Sequence, residues 1–412
     1  MMKIVYMTRE YPPNIYGGAG VHVEHLAGEV AKLANVEVKC FGDQRSELGS
    51  LSVRGYPFKE SLFRNNPQKV KKALMVLLTG LHFNALPIEA DIIHCHTWYA
   101  AWAGILAKLC YGIPLLVTVH SLEPLRPWKR EQLGRGYDLS LWLEKTALEM
   151  AEAVIAVSSS SRQEILSHFR VDPRAVHVIH NGIDVNQYKK VTTTEALRKY
   201  SVDPRVPYVL FLGRISRQKG ILEFVNAVRH FKREIQVVLC TGTADTPELA
   251  REVKTSINRI QSERNQVVWI QHMVTRKEAV ELYSHAAVFC CPSMYEPFGL
   301  INLEAMACET AVVATAVGGI KDVVLPGETG VLVDLGSQAD GEPAPALPDR
   351  FARDFANAVN ELISDEERRK RMARRGRERA EREFGWDKVA LEHMKLYQSV
   401  ADKGISPLDP TL

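Results

Sequence analysis

The sequence predicts an α/β fold built from two doubly wound, Rossmann-like domains. The chain has 412 residues, too many for one ordinary hydrophobic core and comfortable for two domains of about 200 residues each. Short apolar runs alternate with longer amphipathic stretches along the chain, which is typical of strand–helix repeats around a parallel sheet. A polar connection without a helical pattern, around Lys189–Pro207, separates two such series.

The first series consists of apolar runs rich in Val, Ile and Leu. Because the runs are almost continuously apolar, we expect helices to cover these strands on both faces. The predicted strands are Lys3–Met7, Val36–Phe41, Ile92–His94, Leu115–Val119, Ala153–Val157 and Val176–Ile179. The predicted helices between them are Val21–Lys32, Trp98–Leu109, Asp138–Met150 and Ser160–His168.

The second series has the same alternation. Its predicted strands are Tyr208–Leu212, Gln236–Cys240, Val267–Ile270, Val288–Cys291, Ala311–Thr315 and Gly330–Val333. Its predicted helices are Gly220–Arg233, Glu248–Glu263, Thr275–Ala286, Gly299–Cys308, Arg353–Ile363 and the mixed-charge stretch Asp365–Glu383. Gly385–Ala401 has the pattern of a terminal amphipathic helix. We therefore predict domains over residues 1–195 and 196–385, and a separate terminal segment over 386–412.

Composition and charge exclude several classes of protein. A net charge of +3 and a pI near 8.4 are too mild to indicate a nucleic-acid partner. The seven cysteines form no CxxC or Cys/His cluster, which favours reduced thiols over disulfides or a zinc site. No signal-peptide pattern begins the sequence, and no apolar run reaches the roughly 18 residues of a spanning helix. We expect a cytoplasmic protein without a membrane partner.

Two glycine-containing loops follow predicted strands and precede helices. Tyr16–Gly20 can bring backbone N–H groups close to a phosphate or a developing anion, although it lacks the GxGxxG spacing of dinucleotide sites. In the second domain, Arg214 ends a strand and Lys219 follows five residues later. A guanidinium and an ammonium at this spacing can surround one diphosphate.

Two carboxylates flank a Pro and a Gly at another strand–helix junction. Glu296 is expected on the loop, where it can address a sugar, and Glu304 about a turn inside the helix, where it can accept both hydroxyls of a ribose. His120 ends a strand of the first domain and is expected to face a ligand. His94 and His96 share one side of a strand, but the sequence offers no third ligand at suitable spacing, so we predict no metal site.

These segments together resemble the GT-B retaining glycosyltransferases, and most closely the bacterial glycogen/starch synthases of the actinobacterial type. The resemblance implies a GT-B fold, in which two domains face a cleft and the terminal segment crosses back onto the first domain. It covers nearly the whole chain, and its specific segments are Thr8–Leu26, His94–Trp98, Thr118–Pro124, Asn181–Asp184, Gly213–Gly220 and Glu296–Cys308.

The resemblance assigns roles to individual residues. Arg214 and Lys219 match the pair that binds the donor diphosphate and stabilises the nucleotide leaving group. Glu296 matches a glutamate at the donor sugar, Glu304 matches the ribose-binding glutamate, and His120 matches a histidine that contacts the transferred glucose near its C6 hydroxyl. Backbone contacts to the donor are implied for Gly17, Gly18, Phe298, Gly299 and Leu300. The residues assigned to the acceptor side are Glu10, His96 and Asn181.

The implied reaction moves glucose from a nucleotide sugar to an acceptor with retention and without a metal or other cofactor. We expect front-face attack, in which the leaving phosphate helps deprotonate the acceptor hydroxyl, and no covalent glycosyl-enzyme. ADP-glucose is the preferred donor, and elongation of an α-1,4-glucan, as by a glycogen synthase, is the first expectation. Synthesis of maltose 1-phosphate from glucose 1-phosphate is the alternative, and a homo-oligomer is a possible assembly.

Other classes stay open at this point. A sugar-nucleotide epimerase on the same fold would bind the same donor but need no acceptor. A nicotinamide-dependent oxidoreductase is disfavoured because neither first strand leads into a dinucleotide fingerprint. A non-catalytic glucan-binding protein is disfavoured because the whole set of donor-site motifs is present.

Overall fold

A computed structural model describes residues 1–57, 60–336 and 345–405 of the chain. The chain forms two compact units. The first comprises residues 1–182 together with the segment that begins at Trp386, and the second comprises residues 183–385. Residues 406–412 of the predicted terminal segment, and 337–344 of the predicted second domain, lie outside the described residues. Both units are α/β structures built on parallel sheets, as the sequence predicts.

The first unit is built on an eight-stranded sheet with the strand order β3-β4-β2-β1-β5-β6-β7-β8. All neighbours are parallel except β3 and β4, which form an antiparallel pair. The strands are β1 Lys3–Thr8, β2 Asn35–Phe41, β3 Arg45–Leu48, β4 Leu51–Tyr56, β5 Ile92–His96, β6 Leu115–Val119, β7 Ala153–Ala156 and β8 Val176–Val178.

Helices of the first unit connect these strands. They are α1 Gly18–Val30, α2 Gln68–Phe83, α3 Trp98–Tyr111, α4 Lys129–Leu133, α5 Gly136–Met150 and α6 Ser159–His168, with a short 3-10 turn at Glu60–Phe63. Strand side chains alternate between two buried clusters, one shared with α1 and the other with α2, α3 and α5. The sheet is therefore covered on both faces, as its apolar strands predict.

The second unit contains a six-stranded, all-parallel sheet with the order β11-β10-β9-β12-β13-β14. Its strands are β9 Tyr208–Ile215, β10 Gln236–Ala244, β11 Val267–Ile270, β12 Val288–Cys291, β13 Ala311–Thr315 and β14 Gly330–Val333. Its helices are α7 Glu195–Lys199, α8 Ile221–Val228, α9 Pro247–Glu263, α10 Arg276–His285, α11 Leu300–Ala307, α12 Ile320–Val323, α13 Pro348–Ser364 and α14 Glu366–Glu383, with a 3-10 turn at Arg217–Lys219.

The two units divide after Gly182, earlier in the chain than the predicted division after residue 195. Buried hydrogen bonds join the connection after Gly182 to the second unit, and the sequence gives no pattern that predicts them. The carboxylate of Glu281 accepts from Thr193 Oγ1 at 2.7 Å and from the Ala196 amide. Ser284 Oγ accepts from the Val191 amide at 3.0 Å. The polar connection is therefore part of the second unit.

The terminal helix α15, Trp386–Lys403, packs in the first unit beside α1. Trp386 is 5% exposed and stacks on the His25 ring, with centroids 5.2 Å apart. Gly182 makes room for this ring, because a Cβ there would lie 2.5 Å from Trp386 Cδ2. Across the described part of the chain, none of the helices combines the length and hydropathy that crossing a lipid bilayer requires.

Some elements differ from the prediction. The strand pair β3–β4 and the helix α2 were not predicted, and α8 ends at Val228 rather than at Arg233. All four residues of β3 are exposed, so this strand carries no apolar run, and its only signal is the Gly49-Ser50 turn. The central strand β9 continues to Ile215, beyond the predicted Leu212, and therefore carries Arg214 within the sheet.

Candidate active site

The carboxyl edge of the six-stranded sheet collects the charged residues that the sequence singled out in the second unit. β9 and β12 are neighbours in this sheet and run parallel. Arg214 lies near the end of β9, and Lys219 closes the 3-10 turn that follows. Glu296 lies on the loop between β12 and α11. Because parallel strands end at the same edge, residues distant in sequence meet there.

An ion pair joins Lys219 to Glu296. Lys219 Nζ lies 2.6 Å from Glu296 Oε2, and the two side chains are only 19% and 9% exposed. Ser293 Oγ donates a second hydrogen bond, of 3.2 Å, to the same carboxylate oxygen. Burial alone would lower the pKa of Lys219, but the charge of Glu296, the neighbouring Cys291 and the hydrogen bond to Glu296 together outweigh burial, and the pKa is raised. The ammonium group therefore keeps its proton at neutral pH.

Arg214 occupies a more exposed position at the same edge. Its Nη1 donates to Asp245 Oδ1 at 2.9 Å, and the side chains are 41% and 12% exposed. Asp245 directly follows β10, the other neighbour of β9. One carboxylate thus orients the guanidinium while leaving it accessible to an anion from solvent.

Glycines hold the loop that carries Glu296. The Gly319 amide donates to the Glu296 carbonyl oxygen at 2.9 Å. Gly318 has a φ of 48°, and a Cβ there would lie 2.1 Å from the same carbonyl oxygen, so no other residue fits without moving the loop. Gly299, with a φ of 102°, ends the loop just before α11. Sequence reasoning selected Gly299 but missed Gly318 and Gly319, whose signal is a Gly-Gly pair after a strand.

Glu304 lies within α11 and is partly buried. Tyr283 Oη donates to Glu304 Oε2 at 3.0 Å, and Tyr188 forms a further side-chain hydrogen bond to this carboxylate. Burial raises the pKa of Glu304, and the two tyrosine hydrogen bonds partly oppose the rise. Sequence reasoning did not identify either tyrosine, because they come from α10 and from the connection at the start of the unit.

Phe298 and Leu300 flank the glycine that precedes α11. The Phe298 side chain is 3% exposed and packs on Phe384, with ring centroids 5.9 Å apart, so it belongs to the hydrophobic core. Leu300 is the first residue of α11. The Phe298 side chain is therefore not available to a ligand, and the backbone contacts expected for both residues stay a prediction.

The first unit places histidines at the carboxyl edge of its own sheet. His96 ends β5, and His120 directly follows the neighbouring strand β6. His96 Nδ1 and His120 Nε2 lie 3.1 Å apart, within hydrogen-bond distance. His94 lies two residues earlier on the same strand. Its two ring nitrogens form hydrogen bonds with Thr118 Oγ1 and Tyr397 Oη, each at 2.7 Å. His94 is therefore committed to the hydrogen bonding of the core, whereas His96 and His120 lie at the sheet edge.

His22, from α1, completes this group and was missed in the sequence analysis. Its Nδ1 lies 2.7 Å from Asn181 Oδ1, which can only accept, so Nδ1 carries the proton. Its ring centroid is 4.8 Å from that of His120 and 5.4 Å from that of His96. Asn181, predicted on the acceptor side, orients His22 here. A histidine on an amphipathic helix carries no sequence signal that it will lie beside His96 and His120.

The three histidines are neutral at physiological pH. Burial, followed by the neighbouring histidines, lowers the pKa of His22 and His96 far below its usual range. The pKa of His120 falls to about 3 for the same reasons. They act as hydrogen-bonding groups rather than as cations. Nitrogens of His22, His96 and His120 lie within 4.8 Å of one another, which makes them a possible metal-ligand set in the described structure. The expectation of no metal stays a prediction.

The glycine loop of the first unit is braced by Glu10. Its Oε2 accepts from the amides of Tyr16 and Gly17, both at 2.9 Å. A Cβ on Gly20 would lie 2.9 Å from this oxygen, so the close approach requires glycine. Glu10, predicted on the acceptor side, thus occupies an amide that the sequence assigned to a donor phosphate. Gly18, the other glycine of that assignment, begins α1.

Comparison with known proteins identifies relatives of the whole chain. The model of the family Glycosyltransferase Family 4 matches residues 16–187, and that of Glycosyl transferases group 1 matches residues 193–379. The α-maltose-1-phosphate synthase of Mycolicibacterium smegmatis is 43% identical over 404 residues, covering 97% of this chain and 100% of the relative. A glycogen synthase of Mycobacterium tuberculosis is 26% identical over 422 residues, covering 96% and 94%.

A solved structure supports the same fold. The sucrose-phosphate synthase from Thermosynechococcus elongatus superposes with a TM-score of 0.78 at 23% sequence identity, covering 98% of this chain and 100% of that one. At this identity the likeness concerns the fold, two Rossmann-like α/β domains with parallel sheets, and not the substrate.

Proposed function

The chain belongs to the GT-B glycosyltransferases, in the family that includes the mycobacterial α-maltose-1-phosphate synthases, and from this premise we propose that it transfers glucose from ADP-glucose to glucose 1-phosphate. The product is maltose 1-phosphate, formed with retention of the α-configuration. The observation that carries the proposal is the much higher identity to α-maltose-1-phosphate synthase than to glycogen synthase, over nearly the full chain. It favours the sequence-based alternative over glucan elongation, our first expectation.

Lys219 and Arg214 stabilise the leaving nucleotide in this proposal. Breaking the bond between the anomeric carbon and the diphosphate places negative charge on the departing oxygen. The Lys219 ammonium is held in place by Glu296 and keeps its proton, and Arg214 is oriented by Asp245. Both cations are thus positioned before the reaction begins. Removing one preorganised group of this kind costs about 10²- to 10³-fold in kcat.

Glu304 binds the ribose of the donor, and neutral groups bind the sugar. An ionised carboxylate can accept hydrogen bonds from both ribose hydroxyls, and the tyrosines Tyr283 and Tyr188 fix its orientation. His120 offers a neutral ring to a hydroxyl of the transferred glucose, because its pKa of about 3 keeps it unprotonated. We assign no nucleophile, since the Glu296 carboxylate is held by Lys219 and Ser293, and front-face attack needs none.

The proposal is tested by supplying donors and acceptors in all combinations. Purified protein is incubated with ADP-glucose or UDP-glucose, and with glucose 1-phosphate, glycogen or no acceptor, while released nucleoside diphosphate is measured. We expect release to require glucose 1-phosphate and to be faster with ADP-glucose. Lys219→Ala should lower kcat by about 10²- to 10³-fold, whereas Lys254→Ala, at an exposed lysine of α9, should not change it.

The other outcomes identify other functions. Release that requires glycogen and ignores glucose 1-phosphate would make the protein a glycogen synthase, which its more distant relatives allow. Turnover without any acceptor, yielding an altered nucleotide sugar, would make it an epimerase. Either result would overturn maltose 1-phosphate synthesis.

A further inference from the structure

A group of cations gathers at the carboxyl edge of the first unit, outside the residues discussed so far. Arg9 follows β1, Tyr99 is the second residue of α3 just after β5, and Arg126 lies on the loop after β6. β1, β5 and β6 are consecutive neighbours in the parallel sheet, so these three loops emerge side by side. Lys129, at the start of α4, approaches the same place from the side of β6.

The Tyr99 ring is the centre of this group. The Arg9 guanidinium carbon lies 4.4 Å from the ring centroid, and Lys129 Nζ lies 5.9 Å from it. Burial raises the pKa of Tyr99; the positive charges of Arg9 and Arg126 oppose this rise, and the negative charges of Glu123 and Glu10 add to it. Arg9 also lies 5.5 Å from the centroid of Tyr16 in the glycine loop.

Carboxylates compensate only part of this positive charge. Glu123, 1% exposed, pairs with Lys129 at 2.7 Å and with Arg126 at 3.8 Å. The neighbouring Glu144 is buried, and burial, followed by the charge of Glu123, raises its pKa well above the usual range. The three cations Arg9, Arg126 and Lys129 therefore lie among the carboxylates of Glu123 and Glu10, the latter also accepting from two amides of the glycine loop.

Two further observations indicate a missing anion. Arg126 Nη1 donates to Ser121 Oγ at 2.9 Å, but its buried Nε–H has no hydrogen-bond partner among the described residues. A buried donor of this kind is costly unless a ligand satisfies it. The pKa of Lys129 is lowered to about 8, first by burial and then by Arg126, although Glu123 pulls in the opposite direction. Burial and the charge of Arg126 both act against the Lys129 ammonium, which an anion bound beside it would stabilise.

We propose that Arg9 and Arg126, arranged around Tyr99, bind the phosphate group of the acceptor. Guanidinium groups match phosphate oxygens with paired hydrogen bonds, and a half-buried setting strengthens these bonds. Ser121, which Arg126 contacts, directly follows His120, so a phosphate held here leaves the sugar of the acceptor near the histidines. The inference rests on the proposed function, since it takes glucose 1-phosphate as the acceptor.

The test compares phosphorylated and neutral acceptors in matched variants. Arg9→Gln and Arg126→Gln should each raise KM for glucose 1-phosphate by about 10- to 100-fold, the value of a charge-assisted hydrogen bond. The ratio of this KM to the KM for ADP-glucose should rise with it, and the preference for glucose 1-phosphate over maltose should fall. Arg174→Gln, at an arginine that is 91% exposed in the same unit, should change neither KM.

Three outcomes separate the inference from the function on which it rests. If wild-type protein neither binds glucose 1-phosphate in a calorimetric titration nor uses it, both are wrong. If wild type uses glucose 1-phosphate but both Gln variants keep its KM, only the phosphate site is wrong. A variant that partly unfolds would lower kcat, because less active enzyme is present, but would leave both KM values unchanged; Arg9→Lys and Arg126→Lys, which keep the charge, are measured as well. Restoration of most of the affinity by lysine supports a charge contact with the phosphate, and no restoration in soluble, folded variants contradicts it.

Discussion

Replacing Glu296 by Gln should impair Lys219, the residue proposed to stabilise the leaving group, without any change to Lys219 itself. Glutamine keeps the size of the side chain but removes the charge that lies 2.6 Å from Lys219 Nζ. In the native pair the charge and the hydrogen bond of the carboxylate, together with Cys291, outweigh the effect of burial on the pKa of Lys219. Without it, burial and the nearby Arg214 charge, which both lower that pKa, are opposed less strongly, although Cys291 still raises it. Lys219 should then lose its proton at a lower pH.

The size of the effect follows from burial. Removing one partner of a buried ion pair costs about 3–5 kcal/mol. Because Lys219 is 19% exposed and can turn toward solvent, the lower end applies, about 3 kcal/mol. If this destabilises the ammonium in its catalytic position, kcat falls by about 100-fold, since 1.4 kcal/mol corresponds to a factor of ten.

The assay is kcat for ADP-glucose as a function of pH, with nucleoside diphosphate release as the signal. The alkaline limb of the profile should move to lower pH in Glu296→Gln. Ser293→Ala is the matched control, because it removes the 3.2 Å hydrogen bond to the same oxygen but keeps both charges. Its alkaline limb should stay in place. An unchanged alkaline limb in Glu296→Gln would refute the claim that Glu296 sets the charge of Lys219.

Three further substitutions test other parts of the structure. Gly318→Ala places a Cβ 2.1 Å from the Glu296 carbonyl oxygen and should lower kcat by about 10- to 100-fold through displacement of that loop; wild-type kcat would contradict the clamp. The raised pKa of Glu304 means that its charge is lost sooner as pH falls, so KM for ADP-glucose should rise on the acid side, and Glu304→Gln should abolish this dependence. Gly182→Ala pushes a methyl group against the Trp386 ring and should lower the free energy of unfolding by about 1–3 kcal/mol in urea titrations, with an unchanged midpoint as the contrary result.

The sequence predicts the buried strands well because both sheets are parallel and covered on both faces. Apolar residues therefore fill strands such as β6 and β12 almost without interruption. The antiparallel strand β3 lies at the sheet edge with every residue exposed, so no apolar pattern marks it. The sequence also carries no pattern that marks the division between the units, because the division depends on which groups donate hydrogen bonds to the carboxylate of Glu281.

The sequence predicts the residues of the candidate site that stand in short motifs, but not the partners that the fold brings to them from distant parts of the chain. Arg214, Lys219, Glu296 and Glu304 stand in short motifs at strand ends, which their spacing reveals. Of their partners, Asp245, Tyr188 and Tyr283 come from other parts of the chain and depend on the fold, whereas Ser293 lies on the same loop as Glu296. His22 was missed for the same reason, since only the fold brings α1 beside β5 and β6.

The most direct test of the account is the identity of the product. Protein is incubated with ADP-glucose and glucose 1-phosphate labelled with ¹³C at C1, and the labelled carbon is followed by NMR. We predict that the label appears in a disaccharide phosphate with an α-1,4 linkage, at a rate equal to the release of ADP. If the label remains in glucose 1-phosphate while ADP is released, or if only glycogen permits release, the protein does not make maltose 1-phosphate.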